Sequence, residues 1–128
     1  MIPASCLSPV VGRPFANTLR MILVIIRMKV LAEKRKELSQ TILSLIGYLR
    51  RELGCRRCDF FRSMEDENEL CILEEWDALE NLDCHLKSER FRVLRGAMNL
   101  LQEPYEFMFH TVAAEKRKAE ARSQPAVS

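Results

Sequence analysis

The chain has 128 residues, 48% of them apolar, which suits one compact domain with a real core and is too short for two. Its net charge of +2 is unevenly laid out: residues 1 to 20 hold two arginines and no acid, residues 113 to 128 hold four basic residues and two acids, and Met21 to Val112 holds 14 basic against 16 acidic residues. A near-neutral body excludes the electrostatic footprint of a nucleic-acid binder, and the apolar run MILVII falls far short of the roughly 18 residues of a membrane span.

Residues 1 to 20 combine Pro3, Pro9, Pro14 and Gly12 with no clear period, so a flexible arm is expected, with Met21 as a candidate natural start. The first ordered element is MILVIIRMKV, a β-branched run with Ile22, Val24, Ile26, Met28 and Val30 on one face and Leu23, Ile25, Arg27 and Lys29 on the other. From about Glu33 to Leu53, the apolar positions Leu38, Ile42, Leu45, Leu49 and Leu53 step by three or four, predicting a helix that Gly54 would close with a left-handed cap. CRRCDFFRS and LCILEEW, separated by the acidic turn MEDENE, read as a hairpin with Leu70, Ile72 and Trp76 on one face.

Asp77 with Glu80 three residues on fits a helix start, and Leu79, Leu82 and Leu86 form its stripe with His85 at the flank. Ser88 can cap a further helix carrying Phe91, Leu94, Met98 and Leu101 until Pro104 ends it, and YEFMFHTV alternates as a last strand. The charged tail from residue 113 reads as a solvated extension. The resulting order β-α-β-β-α-α-β is an α+β, ferredoxin-like plan: a four-stranded antiparallel sheet with helices on one face. The other face, with Leu23, Ile25, Phe61, Cys71 and Leu73, is too apolar to leave in water, which predicts a homodimer paired through the sheets.

The five cysteines Cys6, Cys55, Cys58, Cys71 and Cys84 are odd in number and lack disulfide-framework spacing, so a reducing, cytoplasmic setting is expected. Cys55-Arg56-Arg57-Cys58 has the C-x-x-C spacing of redox and zinc motifs, but a zinc site wants two more ligands, and in a regular strand these thiols would point to opposite faces. The reading favours small buried hydrophobes there, with metal or thiol chemistry as the alternative.

The MILVIIRMKV strand, the helix ending in ELGC, the ILEEW strand and the following HLKSERF together resemble the antibiotic biosynthesis monooxygenase family of dimeric α+β barrel proteins, over about residues 21 to 112. The resemblance implies a pocket between the sheet and the helices of residues 77 to 101. There a small quinol or phenol would lie against Trp76 or Phe91 and react with dioxygen without a bound metal, flavin or other cofactor. Such chemistry needs a base, a dry cavity and a partner for the substrate anion. His85 is the expected catalytic base, and Arg27 and Arg95 are candidate substrate-binding groups.

Plainer roles stand beside these: Trp76 as core, His85 as a bridge between helix and hairpin, Arg27 paired with Glu74 or Glu75 across the sheet, and His110 as a surface or interface residue. The haem-degrading branch of the same family relies on an asparagine, a tryptophan and a histidine. Here Arg27, His85 and Arg95 fall at or near those positions, which counts against haem cleavage. A non-catalytic dimer that binds a small aromatic ligand as a sensor or carrier is the second functional reading.

Overall fold

The computed structural model describes residues 20–113, so of the expected arm and tail only Arg20 and Ala113 fall within the described residues. Four strands, β1 (Arg20–Lys29), β2 (Cys55–Arg62), β3 (Glu69–Trp76) and β4 (Glu106–Ala113), form one sheet in the order β2-β3-β1-β4. Every neighbouring pair is antiparallel. Helix α1 (Arg35–Leu49) follows β1 after a short 3₁₀ turn, and α2 (Leu79–Leu86) and α3 (Glu89–Ala97) lie between β3 and β4, so the expected ferredoxin-like α+β order is present. Among the described residues, no helix is long and apolar enough to cross a membrane.

Strand periodicity decides what the helices cover. Ile22, Val24, Ile26 and Met28 of β1 and Leu70, Ile72 and Trp76 of β3 are buried in one core with Leu38, Ile42, Ile46 and Leu49 of α1, Leu82 of α2, and Phe91 and Leu94 of α3. Burying a side chain of this size is worth about 1.5–3 kcal/mol, so this shared layer is the main source of stability. On the opposite face, Leu23, Ile25, Cys71 and Leu73 are only half-buried and Phe61 is 47% exposed. Met108 and His110 of β4 lie opposite Ile25 and Leu23, on that same open face.

Three local departures from the sequence reading shape the site. Helix α1 ends at Leu49 instead of Leu53: Arg51 and Glu52 donate their amides three residues back, to Tyr48 and Leu49, and Leu53 turns outward at 54% exposure. Gly54 does adopt a left-handed φ of +86°, but in the turn that feeds β2, after the Glu52 carbonyl has accepted the Cys55 amide. Strand β2 is irregular between Cys55 and Arg57, so that Cys55 stands opposite Trp76 and Cys58 opposite Glu74. The extra residue therefore puts both cysteines on the helix-covered side, where a regular strand would have separated them. Finally, Asp77 does not cap α2. Ala78 holds that position, and the Asp77 carboxylate accepts instead from the Asn81 side chain at 2.7 Å.

Gly54 is doubly constrained, because a Cβ there would also run into the Asn81 side chain and lie 2.6 Å from Asp77 Oδ1. Gly54→Ala should destabilise the fold by about 1–3 kcal/mol, from the positive φ together with the clash. Gly47→Ala, in α1 with nothing within 4 Å of the new methyl, should stabilise it by about 0.5–1 kcal/mol. Urea denaturation of the two variants checks this, and equal midpoints would reject the reading of Gly54.

Candidate functional site

The alternation that buries Leu70, Ile72 and Trp76 also buries the residue between the last two, Glu74, at 1% exposure. A buried carboxylate must find donors. One is the neighbouring indole: Trp76 Nε1 donates to Glu74 Oε1 at 2.8 Å. The second approaches from α2, where His85 sits at 1% exposure with Nε2 3.6 Å from the same oxygen, an ion-pair distance outside hydrogen-bonding range. The other ring nitrogen, Nδ1, is 2.8 Å from Glu52 Oε1 in the turn after α1. A histidine thus bridges two carboxylates from two different elements.

The aromatic surroundings fix the ring. His85 stacks on Trp76 with centroids 4.6 Å apart and meets the edge of Phe91 at 5.1 Å. Ser88 sets the turn that carries it: its hydroxyl donates to the His85 carbonyl at 2.6 Å and accepts the Phe91 amide at 3.2 Å, so it caps α3 as expected. Burial alone would depress the basicity of His85. The hydrogen bond to Glu52 and the charge of Glu74 outweigh that and push its pKa up to about 9. The imidazole therefore favours its protonated form at neutral pH, which opposes the role of free base expected of it.

In front of this buried group opens a cavity of about 330 Å³ between the end of α1 and the α2–α3 turn. Glu52, His85 and Ser88, none of them exposed, line its inner part, and Asn81 and Cys84 also contribute to the lining. The exposed residues Tyr48, Arg51, Leu53 and Arg90 border its outer part. The volume falls in the range of small-molecule sites and suits a ligand of one or two fused rings.

The remaining candidates fall elsewhere. Trp76 and Phe91 are core residues behind His85 and do not line this cavity. Arg27 is on the open face of the sheet, opposite Cys71, with its guanidinium donating to Glu69 Oε2 at 2.7 Å; its partner is neither Glu74 nor Glu75. Arg95 is exposed, its guanidinium carbon 5.5 Å from the centre of the Phe91 ring. The structure brings together His85, Trp76 and Phe91, and adds Glu52, for which the sequence offers no signal, and Glu74, which the sequence reading pairs with Arg27 instead.

Cys55, Cys58 and Cys71 are free thiols, whereas Cys84 is disulfide-bonded, a departure from the expectation of reduced cysteines throughout. Burial, reinforced by the charge of Glu74, pushes the Cys55 thiol up to about 11 and Cys58 higher still, the reverse of an activated thiolate. Among the described residues, no group of three or more His, Cys, Asp or Glu side chains is placed to hold a metal ion.

The raised pKa of His85 has a thermodynamic sign. A group bound to its proton more tightly in the folded state stabilises that state fully below the unfolded value near 6.5, and the contribution is lost as pH rises through about 9. Stability should therefore fall between pH 6.5 and 9 by on the order of 3 kcal/mol from this group. In Glu52→Gln, which keeps an acceptor but removes the charge, the slope should be shallower. Denaturation midpoints across that window check it, and identical slopes in the two proteins would reject the assignment.

Comparison with known proteins agrees with this architecture. A conserved protein from Methanosarcina mazei is 26% identical, with a TM-score of 0.70 over 73% of this chain and 94% of its own. A protein from Mycobacterium tuberculosis is 25% identical, with a TM-score of 0.67 over 77% and 99% of the two chains. A structure described as an antibiotic biosynthesis monooxygenase shares the fold at 22% identity, with a TM-score of 0.65 over 70% and 95%. No curated protein matches the chain. The sequence profile of the antibiotic biosynthesis monooxygenase family matches residues 21–96, from the first strand through α3, and the chain belongs to that family.

Proposed function

We propose that the protein is a monooxygenase that reacts dioxygen directly with a small phenol or quinol held in the cavity beside Glu52, without a bound cofactor. Family membership supports the reaction class. The observation that carries the assignment to this cavity is the pair formed by Glu52, on the cavity wall, and the buried imidazole behind it.

In this reading Glu52 takes the proton of the substrate hydroxyl, and His85, held between Glu52 and Glu74, positions that carboxylate. The electron-rich phenolate then transfers an electron to dioxygen and the two radicals combine at a ring carbon. Loss of water leaves a quinone, so that phenol and dioxygen give quinone and water. One oxygen atom enters the ring and the other departs as water, with the substrate supplying all the electrons. Trp76 and Phe91 support the ring of His85, and Arg27 and Arg95 make no contact with the substrate.

The protein would work as a homodimer, with a second copy covering the sheet face that carries Leu23, Ile25, Leu73 and the exposed Phe61. Contiguous apolar surface of this kind is costly to leave in water.

Dioxygen uptake against a panel of phenols and quinols tests the activity. Glu52→Gln should lower kcat by about 10²-fold or more while leaving binding in place. Uptake unaffected by that change would remove Glu52 from the chemistry, and saturable binding with no uptake by the wild type would assign a ligand-binding role instead. Leu73→Glu should shift the protein toward monomer in light scattering, and an unchanged mass would reject the sheet-face interface.

A further inference from the structure

Two arginines at the cavity are distinguished by what holds them, a shared aromatic ring instead of a carboxylate. Arg27, Arg35, Arg50, Arg57 and Arg92 each pair with a carboxylate. Arg51 and Arg90, at the outer part of the cavity, pair with none among the described residues. Arg51 donates Nε to the Gly47 carbonyl at 3.2 Å, and its guanidinium carbon lies 5.3 Å from the centre of the Tyr48 ring. Arg90 lies over the same ring at 4.1 Å. Tyr48 is itself 47% exposed, so one aromatic ring holds two guanidinium groups in place at the cavity's outer edge without neutralising either.

The inner end has the opposite character: Glu52 lines it, and a second carboxylate, Glu74, lies buried on the other side of the His85 ring. An anionic substituent would be repelled from that end and drawn to the outer one. Tyr48 and Leu53 offer apolar surface beside the two arginines.

We propose that the cavity selects an aromatic acid, with its carboxylate held by Arg51 and Arg90 and its phenolic hydroxyl directed inward to Glu52. This names the substrate class of the site described above and rests on that reading of the cavity. The two arginines act as specificity-determining residues, and they also fix orientation: a ligand bound the other way round would place its carboxylate against Glu52. Two charge-assisted contacts at a partly exposed position favour the acid over its neutral counterpart by about tenfold or more.

The test is equilibrium binding of hydroxynaphthoate and of its uncharged methyl ester to the full chain, by calorimetry, in the wild type and in Arg51→Gln/Arg90→Gln. The expected result is tighter binding of the acid by about tenfold, a preference that collapses in the double variant and shrinks as salt is raised, while ester affinity falls far less than acid affinity. Retained ester binding also shows that the double variant is folded. Equal affinity of acid and ester in the wild type would overturn the charge selection and leave the cavity as the ligand site. A wild type that binds neither compound would overturn both this inference and the placement of the substrate in the cavity.

Discussion

The protonated ring of His85 between Glu52 and Glu74 is the constraint on which the rest of the molecule depends. Each of its three ionisable members would be costly to bury alone, and the group is tolerable because charge is compensated where the ring meets both carboxylates. Those members come from the turn after α1, from β3 and from α2, so one electrostatic contact ties the helical layer to the sheet. The stacking of Trp76 on the same ring turns a tolerated charge into a positioned one.

The path of the chain around that contact explains the local geometry. Had α1 continued to Leu53, Glu52 would have remained on the helical spiral. The tightened turn after Leu49 and the left-handed Gly54 bring Glu52 to His85, and the acceptance of the Asp77 amide by the Gly54 carbonyl locks the start of β2 to the end of β3. The same turn exposes Leu53 and places it beside the cavity, so the interruption of one helix creates both the polar inner end and the apolar approach to it.

Much of the fold was legible because two periods carry it. Alternation in MILVIIRMKV and LCILEEW identified the buried faces of β1 and β3, and the steps among Leu38, Ile42 and Leu49 identified the buried side of α1. The site was less legible. The phase that buries Ile72 and Trp76 already places Glu74 inside, a signal present in the sequence but masked by treating glutamate as a surface partner for Arg27. Glu52 had no such signal, because its position follows from where the helix breaks. The cavity lies outside the aromatic layer, so Trp76 and Phe91, sensible as aromatic walls from their residue type, turn out to be the packing behind it. The offset of Cys55 and Cys58 onto one face was hidden for a similar reason: one extra residue in a strand reverses which side the next side chain takes.

That irregularity in β2 bears on how the protein can associate. β2 and β4 are the edges of the sheet, and an edge strand offers unpaired amides and carbonyls to any passing chain. Strand β2 begins with its ladder out of step and presents the exposed cations Arg56 and Arg62, with Arg57 paired to Asp59 between them. A neighbouring molecule attempting to extend the sheet would meet broken register and exposed arginines, both of which disfavour edge-to-edge pairing.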